Sequence, residues 1–525
     1  MYSRVLIIGS GLAGLASAYT LAERGIECMV VGKDLEQIEG CNSVYAQGGI
    51  IFRSSRNDPE SLIKDIFAAG DNINYLPSVR QLATAGVDLV KKVLIDSVQV
   101  PFDREGRKLS FVQEAAHSEP RIIHVKDYTG RAIMEALYAK IKKHPRLKFM
   151  SGQVLVDLLT SGHNCLGYEF KYQKNRCLGA FLFDKKTEKV RTVLADYTVL
   201  CTGGIGQVYQ YHTNADHAYG GGLAAANRAR VRIINSRFIQ FHPTALWTPR
   251  KGRRFLISEA LRGEGARLMT RNGKFIMDKF LLKDLESRAV VAKAIMEELE
   301  KSGEKFVYLN LADFYKGSVP ISERFPSIYE HCLREGIDIS REPIPVVPAE
   351  HFFCGGIFVD LNGRTELDGL YAAGELACAG VHGANRLAST SLLECLTWGT
   401  KAAESIAGRL KMKDDLSEAF SLVEDWQSLG DKTADPRVIE KEKNQIRSMM
   451  WKNVGIIRTK ERLYKARDEL RNMWNSIEKK YFESKLSEDL IELRHMAEVA
   501  YIITRSASSH TSLREDNLGG HVIKE

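Results

Sequence analysis

The sequence predicts an α/β protein with a Rossmann-like, doubly wound domain, an inserted α+β domain and a C-terminal helical bundle. Three observations predict this fold class. The chain opens with a strand, a glycine turn, a helix and a second strand; short β runs with glycine-rich ends recur after residue 150; and nearly everything beyond about residue 415 is helical and charged. Because 525 residues exceed what one hydrophobic core organises, two to four domains are expected.

The opening βαβ unit covers residues 4–31. After Arg4 the segment 4–8 is continuously apolar, as expected of a strand buried on both faces. Residues 12–24 carry apolar side chains at helical spacing, and Gly25 follows as a C-terminal cap. Residues 27–31 return as a second buried strand, which is typical of a doubly wound sheet.

The turn between the first strand and the helix predicts a dinucleotide site. Gly9 permits the tight turn, Gly11 lets the backbone approach a pyrophosphate, and Gly14 lets the helix pack on the strand. The helix N-terminus offers N–H groups and a partial positive charge to the phosphates. We expect nucleotide contacts from the whole turn, which comprises Gly9, Ser10, Gly11, Leu12, Ala13 and Gly14.

The end of the second strand departs from the usual pattern. An acidic residue is expected there to hold the adenosine ribose. This chain has Gly32, Lys33 and Asp34 instead. A glycine has no side chain for a ribose hydroxyl, so Lys33, Asp34 or the backbone would take that role. On these residues alone, NAD and FAD both stay open as the cofactor.

Changes of pattern divide the chain into three predicted domains. Residues 1–235 and 350–412 form a discontinuous nucleotide-binding domain, because glycine-rich strand material resumes near 350. Residues 236–349 form the inserted domain, with helices expected at 258–268 and 286–301. Residues 413–525 form the helical bundle, whose charge we interpret as a solvated face.

Composition bounds the function. A net charge of +8 suits small anionic substrates but is too dilute to indicate nucleic-acid binding. No run of about 18 apolar residues indicates a membrane span, and no basic region precedes the first strand, so a cytoplasmic location without a signal peptide is expected. The nine cysteines contain no C-x-x-C pair, which argues against a disulfide framework or an iron–sulfur cluster. No metal site is expected.

Further blocks carry a family resemblance. They are residues 42–50, 240–246, 258–265, 351–356, 374–375, 383–386 and 391–395. In this order they resemble the superfamily of L-aspartate oxidases and of succinate dehydrogenase and fumarate reductase flavoproteins, and the likeness runs from residue 4 to about 505. The resemblance implies that the first domain is an FAD-binding domain and that the inserted domain is a cap.

Three positions favour the L-aspartate oxidases within this superfamily. Asn42 stands where the dehydrogenases usually carry a histidine linked to the flavin, so the resemblance implies non-covalent FAD. Tyr45 stands where the dehydrogenases have alanine. Glu114 matches a carboxylate that aspartate oxidases place near the substrate amine.

The resemblance also implies the site residues. Carboxylates taken from water need cationic or multidentate donors. Arg288 matches the proton donor and acceptor of the family, buttressed by Glu259 and Arg262, although a helix-face salt bridge is the alternative for that pair. The implied substrate ligands are Glu114, His242, Ser258, His351 and Arg386. The implied FAD contacts, besides the glycine turn, are Lys33, Asn42, Ser43, Val44, Tyr45, Ala46, Gln47, Gly48, Gly49, Val154, Glu375, Ser391 and Leu392. Plain core packing is the alternative for Val154.

The activity that the resemblance implies is oxidation of L-aspartate to iminoaspartate, with dioxygen or fumarate as electron acceptor. Iminoaspartate would feed quinolinate synthesis in de novo NAD biosynthesis, with quinolinate synthase as a further partner. Two alternatives stay open. One is the flavoprotein subunit of a membrane-anchored succinate dehydrogenase or fumarate reductase, and the other is a non-catalytic FAD-binding protein.

Three departures from the family pattern bear on the cofactor and the rate. Gly221 replaces an aspartate on the flavin side, so weaker FAD binding is expected. Ala289 replaces an aspartate after Arg288, which would loosen the orientation of that arginine. Leu518 replaces an arginine in the C-terminal motif at residues 516–521.

Overall fold

The computed structural model describes residues 1–35, 40–54, 58–114, 116–412, 415–427, 430–509 and 518–524. Its strands are β1 (Tyr2–Ile8), β2 (Cys28–Val31), β3 (Ile50–Ile51), β4 (Arg104–Glu105), β5 (Lys108–Leu109), β6 (Ile122–Ile123), β7 (Leu147–Met150), β8 (Gln153–Thr160), β9 (Cys177–Asp184), β10 (Lys189–Leu200), β11 (Ile233–Ile234), β12 (Ile239–Leu246), β13 (Arg267–Met269), β14 (Val307–Asn310), β15 (Ile344–Phe353), β16 (Gly356–Phe358), β17 (Leu370–Ala372), β18 (Ala377–Cys378), β19 (Ile457–Thr459) and β20 (Val522–Lys524). Its helices are α1 (Leu12–Glu23), α2 (Pro59–Ala69), α3 (Leu76–Gln81), α4 (Val87–Leu89), α5 (Thr129–Ile141), α6 (Ser161–Asn164), α7 (Gly221–Arg228), α8 (Ala260–Gly263), α9 (Arg288–Ser302), α10 (Ile321–Arg324), α11 (Pro326–Arg334), α12 (Ser391–Arg409), α13 (Ser417–Ser421), α14 (Pro436–Asn453), α15 (Lys460–Glu483) and α16 (Glu488–Ser509).

The central sheet confirms the predicted fold class. It has the order β7-β2-β1-β10-β9-β8, and β17 also pairs with β10. The strands β1, β2, β7, β10 and β17 run parallel, whereas β9 is antiparallel to β10 and β8. The apolar segments predicted at 4–8 and 27–31 are the neighbours β1 and β2. The carboxyl end of β1 therefore meets that of β10 beside Gly9, at the edge where such sheets bind nucleotides.

A second sheet lies between residues 239 and 353. Its order is β12-β15-β14-β13, all antiparallel, and buried side chains from Leu246 to Val347 form a core of their own. The helix predicted at 258–268 is wrong in length, because α8 ends at Gly263. Gly265 then adopts a φ of 108°, which turns the chain into β13. The predicted helix at 286–301 is α9. The domain boundaries at 236, 350 and 413 stay predictions.

The C-terminal helices α14, α15 and α16 pack on one another, and α16 also packs on α7. The interpretation of their charge as a solvated face is wrong for α16. Arg494 and Glu498 are only 5% and 0% exposed. Arg494 donates to Glu478 at 2.7 Å and to Asp157 at 2.9 Å, and Glu498 pairs with Arg228. These charges are buried because each has a partner of opposite sign.

Membrane insertion receives no support from the described part of the chain. None of its helices combines the length and the apolar character that crossing a bilayer requires.

The helices α1 and α12 pack at a distance that only a small residue allows. A Cβ on Gly399 of α12 would lie 2.5 Å from the carbonyl oxygen of Ala13. Ser17 of α1 donates from Oγ to the carbonyl oxygen of Gly399 at 2.9 Å. This contact fixes α1, whose first turn carries the predicted nucleotide-binding residues.

We expect Gly399→Ala to destabilise the protein by about 1–3 kcal/mol, because the added methyl group overpacks the contact between α1 and α12. Gly408→Ala on the same helix is the matched control, since a Cβ there meets nothing within 4 Å. The control should gain about 0.5–1 kcal/mol from helix propensity. Thermal and urea unfolding measure both effects, and equal stabilities of the two variants would contradict the close packing.

Candidate active site

One cavity collects nearly all of the predicted site residues. The predicted FAD contacts that line it are Gly9, Ser10, Gly11, Leu12, Ala13, Lys33, Asn42, Ser43, Tyr45, Ala46, Gln47, Gly48, Gly49, Val154, Glu375, Ser391 and Leu392. The predicted substrate and catalytic residues that line it are Glu114, His242, Ser258, Glu259, Arg288, His351 and Arg386. Gly14, Val44 and Arg262 are buried and do not line it.

The glycine turn fits a dinucleotide because its backbone has no room for side chains. A Cβ on Gly9 would lie 2.1 Å from the carbonyl oxygen of Cys201, and one on Gly14 would lie 2.0 Å from that of Gly9. Gly11 caps α1 without a side chain of its own, the N–H of Leu12 donates to Oγ of Ser43 at 3.1 Å, and the first turn of the helix lines the cavity. The buried Oγ1 of Thr202, which also lines the cavity, has no partner among the described residues. These features fit the phosphates of FAD.

Asn42 is held by hydrogen bonds at both polar atoms. Its Nδ2 donates to Oδ1 of Asn214 at 2.8 Å and to Oε2 of Glu375 at 3.2 Å, and its Oδ1 accepts from the N–H of Ala215 at 2.7 Å. Burial raises the pKa of Glu375 to about 7, although the N–H of Phe353 and Asn42 oppose the rise. An amide fixed in this way offers no nucleophile to a flavin.

Glu350 belongs to the same network, and sequence reasoning missed it. It is fully buried, and its Oε2 accepts from Nδ2 of Asn214 at 2.8 Å. Burial and then the nearby Glu375 raise the pKa of Glu350 well above its usual value. Glu350 therefore fixes the Asn214 side chain that in turn accepts from Asn42.

Two histidines face the cavity as neutral rings. Nδ1 of His242 accepts from the N–H of Thr244 at 3.2 Å, so Nε2 carries the proton, and this Nε2 has no partner among the described residues. Nδ1 of His351 lies 2.8 Å from Oγ1 of Thr213. Burial lowers the pKa of both rings well below the usual value, and the nearby Arg288 and Arg386 add to the effect. The pair therefore presents a hydrogen-bond donor without a fixed charge.

Arg386 is held in place by three neighbours. Its Nε donates to Oε1 of Gln240 at 3.2 Å, and its Nη1 donates to Oγ of Ser391 at 3.0 Å. Its guanidinium carbon lies 4.5 Å from the ring centroid of Phe352. Burial, followed by repulsion from Arg288, lowers the pKa of Arg386 to about 10. Arg386 is still a cation at neutral pH, with a planar fork suited to a carboxylate.

Arg288, Glu259 and Arg262 form a buried row of charges. Nε of Arg288 donates to Oε2 of Glu259 at 2.6 Å, and Nη2 of Arg262 lies 3.4 Å from Oε1 of Glu259. Burial raises the pKa of Glu259, but the two arginines outweigh that effect and hold it below the usual value. Nη1 of Arg288 has no partner among the described residues. Arg288 therefore lines the cavity, while Arg262 supports it from behind.

Glu114 also lines the cavity, although it precedes the other predicted substrate residues by more than 120 positions. Its Oε2 accepts from Oγ of Ser389 at 2.8 Å, and a Cβ on Gly48 would lie 2.7 Å from its Oε1. Burial raises the pKa of Glu114, partly offset by Arg288. Sequence reasoning missed Ser389, although it lies between the predicted Arg386 and Ser391.

Arg253 also lines the cavity and was not predicted. Its guanidinium carbon lies 3.5 Å from the ring centroid of Tyr45, and its Nε donates to the carbonyl oxygen of Thr213 at 3.2 Å. No sequence pattern could have indicated this stacking, because the two side chains meet only in the fold.

The departures from the family pattern have structural counterparts. A Cβ on Gly221 would lie 2.9 Å from Nδ1 of His495, which occupies that space. Ala289 packs against Gly520, where a Cβ would lie 2.5 Å from the Ala289 Cβ. Asp516 and Asn517 of the C-terminal motif lie outside the described residues.

Family models match most of the chain. The FAD binding domain model matches residues 4–392, and the model of the C-terminal region of the fumarate reductase flavoprotein matches residues 443–525. A chain of an E. coli quinol fumarate reductase superposes with a TM-score of 0.86 at 24% identity, covering 100% of this chain and 91% of that one. Mycobacterium smegmatis Sdh1 superposes with a TM-score of 0.81 at 27% identity, covering 100% and 89%. These likenesses show the fold.

Relatives of known name are more similar in sequence. L-aspartate oxidase 1 of Ralstonia nicotianae is 38% identical over 99% of this chain and 95% of its own length. L-aspartate oxidase of Halobacterium salinarum is 37% identical over 96% and 94%. The chloroplastic L-aspartate oxidase of Oryza sativa is 33% identical over 100% and 82%. With its FAD-binding fold and a cavity that gathers the family blocks, this chain belongs to the L-aspartate oxidase family of flavoproteins.

Proposed function

We propose that this chain oxidises L-aspartate to iminoaspartate with non-covalently bound FAD, and that dioxygen or fumarate takes up the electrons. The observation that carries the proposal is that hydrogen-bond donors without a protein partner and one carboxylate, that of Glu114, line the same cavity. Nε2 of His242 and Nη1 of Arg288 have no hydrogen-bond partner among the described residues. Arg386 and Glu114 line the same cavity.

This set matches the charges of L-aspartate. Its two carboxylates need charge-assisted donors once they leave water, which Arg386, Arg288 and His242 offer. Its ammonium group needs an acceptor, which Glu114 offers. Succinate and fumarate lack the ammonium group, so Glu114 selects aspartate by charge.

The reaction removes a hydride and a proton from the substrate. The hydrogen on Cα leaves with its electron pair, one proton leaves the nitrogen, and the C–N bond becomes double. FAD, when bound, supplies the acceptor for the hydride. Arg386 and His242 hold the carboxylates so that the Cα–H bond keeps one orientation.

The proton from the nitrogen needs an acceptor of its own. Glu114 is the carboxylate placed for it, and burial raises its pKa, which makes it a stronger base than an exposed glutamate. Arg288 binds and neutralises a substrate carboxylate. When fumarate is reduced instead, the row formed by Arg288, Glu259 and Arg262 is suited to deliver the proton.

The residues that would hold FAD are the glycine turn, residues 42–49, Glu375 and the first turn of α12. The fully hydrogen-bonded amide of Asn42 supports a non-covalent complex. Quinolinate synthase as a partner, the cytoplasmic location, the domain boundaries and the individual residue roles stay predictions of the sequence.

Purified protein tests the proposal directly. We expect oxidation of L-aspartate to reduce dioxygen to hydrogen peroxide in air, and to reduce fumarate to succinate when fumarate replaces dioxygen. D-Aspartate and succinate should yield no peroxide, and acid precipitation should leave the flavin in the supernatant. A yellow protein that, with L-aspartate, forms neither peroxide from dioxygen nor succinate from fumarate would refute the activity, and flavin in the precipitate would refute non-covalent binding.

Glu114→Gln should lower kcat/KM for L-aspartate by about 10²-fold or more, because it removes both the charge and the base. In the unchanged protein, KM for L-aspartate should rise as the pH falls through the pKa of Glu114, which burial holds above its usual value, since only the carboxylate attracts ammonium. The variant should lack this acidic limb. Steady-state kinetics across pH measure both effects.

Two comparisons control this prediction. KM for fumarate should stay nearly constant in Glu114→Gln, and the exposed Glu105→Gln should leave aspartate kinetics unchanged. If Glu114→Gln has the same selectivity between aspartate and fumarate as the unchanged protein, Glu114 does not recognise the ammonium group.

Arg288→Leu should lower turnover by about 10²–10⁴-fold and leave FAD bound, because the cofactor contacts lie elsewhere in the cavity. Arg324→Leu is the control, since Arg324 pairs with Glu264 at 3.0 Å and does not line the cavity. Anaerobic reduction of the flavin by L-aspartate, followed by absorbance, gives the rate. Normal flavin reduction in Arg288→Leu would show that Arg288 does not hold a carboxylate of L-aspartate during oxidation.

A further inference from the structure

Helix α16 builds part of the wall of the cofactor cavity, which no motif indicated. Its residues Glu492 and His495 line the cavity together with Gly32, Lys33 and Val154. Because they are three positions apart, the two α16 side chains lie on one face of the helix. We call these five residues the nucleotide wall.

The nucleotide wall lacks an acid at the end of β2. Gly32 follows β2 directly, and a Cβ on it would lie 3.4 Å from Oγ of Ser10 in the glycine turn. Doubly wound folds place the carboxylate for ribose hydroxyls at this position. Asp34 does not replace it, because Asp34 is nearly half exposed and pairs with His217 at 3.0 Å.

Glu492 brings a carboxylate to this place from the far end of the chain. Its Oε1 pairs with Lys33, the residue after Gly32, and its Oε2 accepts from Nζ of Lys443 at 2.9 Å. Glu492 is only 7% exposed. A carboxylate accepts about four hydrogen bonds, so lone pairs remain on Glu492 after both lysines have bound.

His495 presents a second acceptor to the same cavity. Its Nε2 lies 3.4 Å from the carbonyl oxygen of Val156, which places the proton on Nε2 and leaves Nδ1 as an acceptor. No described residue donates to Nδ1, although the side chain is only 3% exposed. Burial, followed by Arg228, lowers the pKa of His495 to about 3, so the ring stays neutral.

We propose that α16 supplies the ribose recognition that β2 lacks: Glu492 accepts hydrogen bonds from the ribose hydroxyls in the adenosine half of FAD, and Nδ1 of His495 is a further acceptor beside Gly221. This assignment rests on the proposed FAD-dependent function. The hydroxyls of a ribose are donors, and both α16 groups face the cavity with acceptor atoms. The missing side chain of Gly221 leaves the space that His495 fills, so Gly221 here is part of the site.

The full-length chain, stripped of FAD, tests the assignment by calorimetry with ADP and 2′,3′-dideoxy-ADP. The unchanged chain should bind ADP about tenfold or more tightly than the dideoxy form, since a hydrogen bond to a charged group is lost. Glu492→Gln should reduce this preference to less than about threefold and weaken FAD binding by about tenfold. Binding of FMN, which lacks the adenosine half, should not change.

Glu488→Gln is the matched control. Glu488 pairs with the same Lys33, at 2.8 Å, but does not line the cavity. Its variant should keep the preference for ADP. Equal loss in both variants would assign the effect to the charge of Lys33 and overturn the proposal, as would an undiminished preference in Glu492→Gln.

If Glu492→Gln does not fold, a second variant and the unchanged chain still test the proposal. Glu492→Asp keeps the charge and shortens the side chain, and it should lose the preference in the same way. Equal affinity of the unchanged chain for ADP and its dideoxy form also overturns the proposal. These measurements do not involve turnover, so a chain that prefers ADP but oxidises L-aspartate with neither dioxygen nor fumarate refutes only the proposed function.

Discussion

The ion pair between Arg288 and Glu259 is the interaction on which the substrate end of the cavity depends. Burial, together with repulsion from Arg288, lowers the pKa of Arg262 and that of Arg386, and Glu259 bridges Arg288 and Arg262. The pairing fixes the orientation of Arg288 while leaving its Nη1 open. Positive charge and buried donors therefore lack partners within the described protein, and a dicarboxylate would complete them. The site favours dicarboxylates because its positive charges are not fully paired within the protein.

The nucleotide end follows the opposite rule. There the protein charges are paired with one another, as Lys33 with Glu488 and Glu492, and Lys443 with Glu492 and Asp489. A ribose contributes hydroxyl groups rather than charge, so its binding requires hydrogen-bond acceptors that the protein already holds in place. The substrate end of the cavity thus needs a ligand to balance its charge, whereas the charges at the nucleotide end are already balanced within the protein.

How much of this could be predicted depends on where the information lies along the chain. The glycine turn, Asn42 and Arg386 sit in blocks whose spacing or family likeness is readable from the sequence, and the structure gathers them in one cavity. Glu492 could not be predicted, because its contact with Lys33 joins residues 459 positions apart. Arg253 and Glu350 were missed for the same reason, and the charges of α16 were misjudged because helical spacing does not reveal a buried partner. The short α8 shows that one left-handed glycine overrides an apparent helical pattern.

The cavity joins residues that are far apart in the sequence, from the glycine turn to α16, and this has a consequence for biosynthesis. The glycine turn after β1 leaves the ribosome hundreds of residues before α16 does, and domains made first fold first. A nascent chain thus has a cofactor cleft with one wall missing. On the proposed role of α16, a bound cofactor therefore adds its full stabilisation only to chains that already contain this helix.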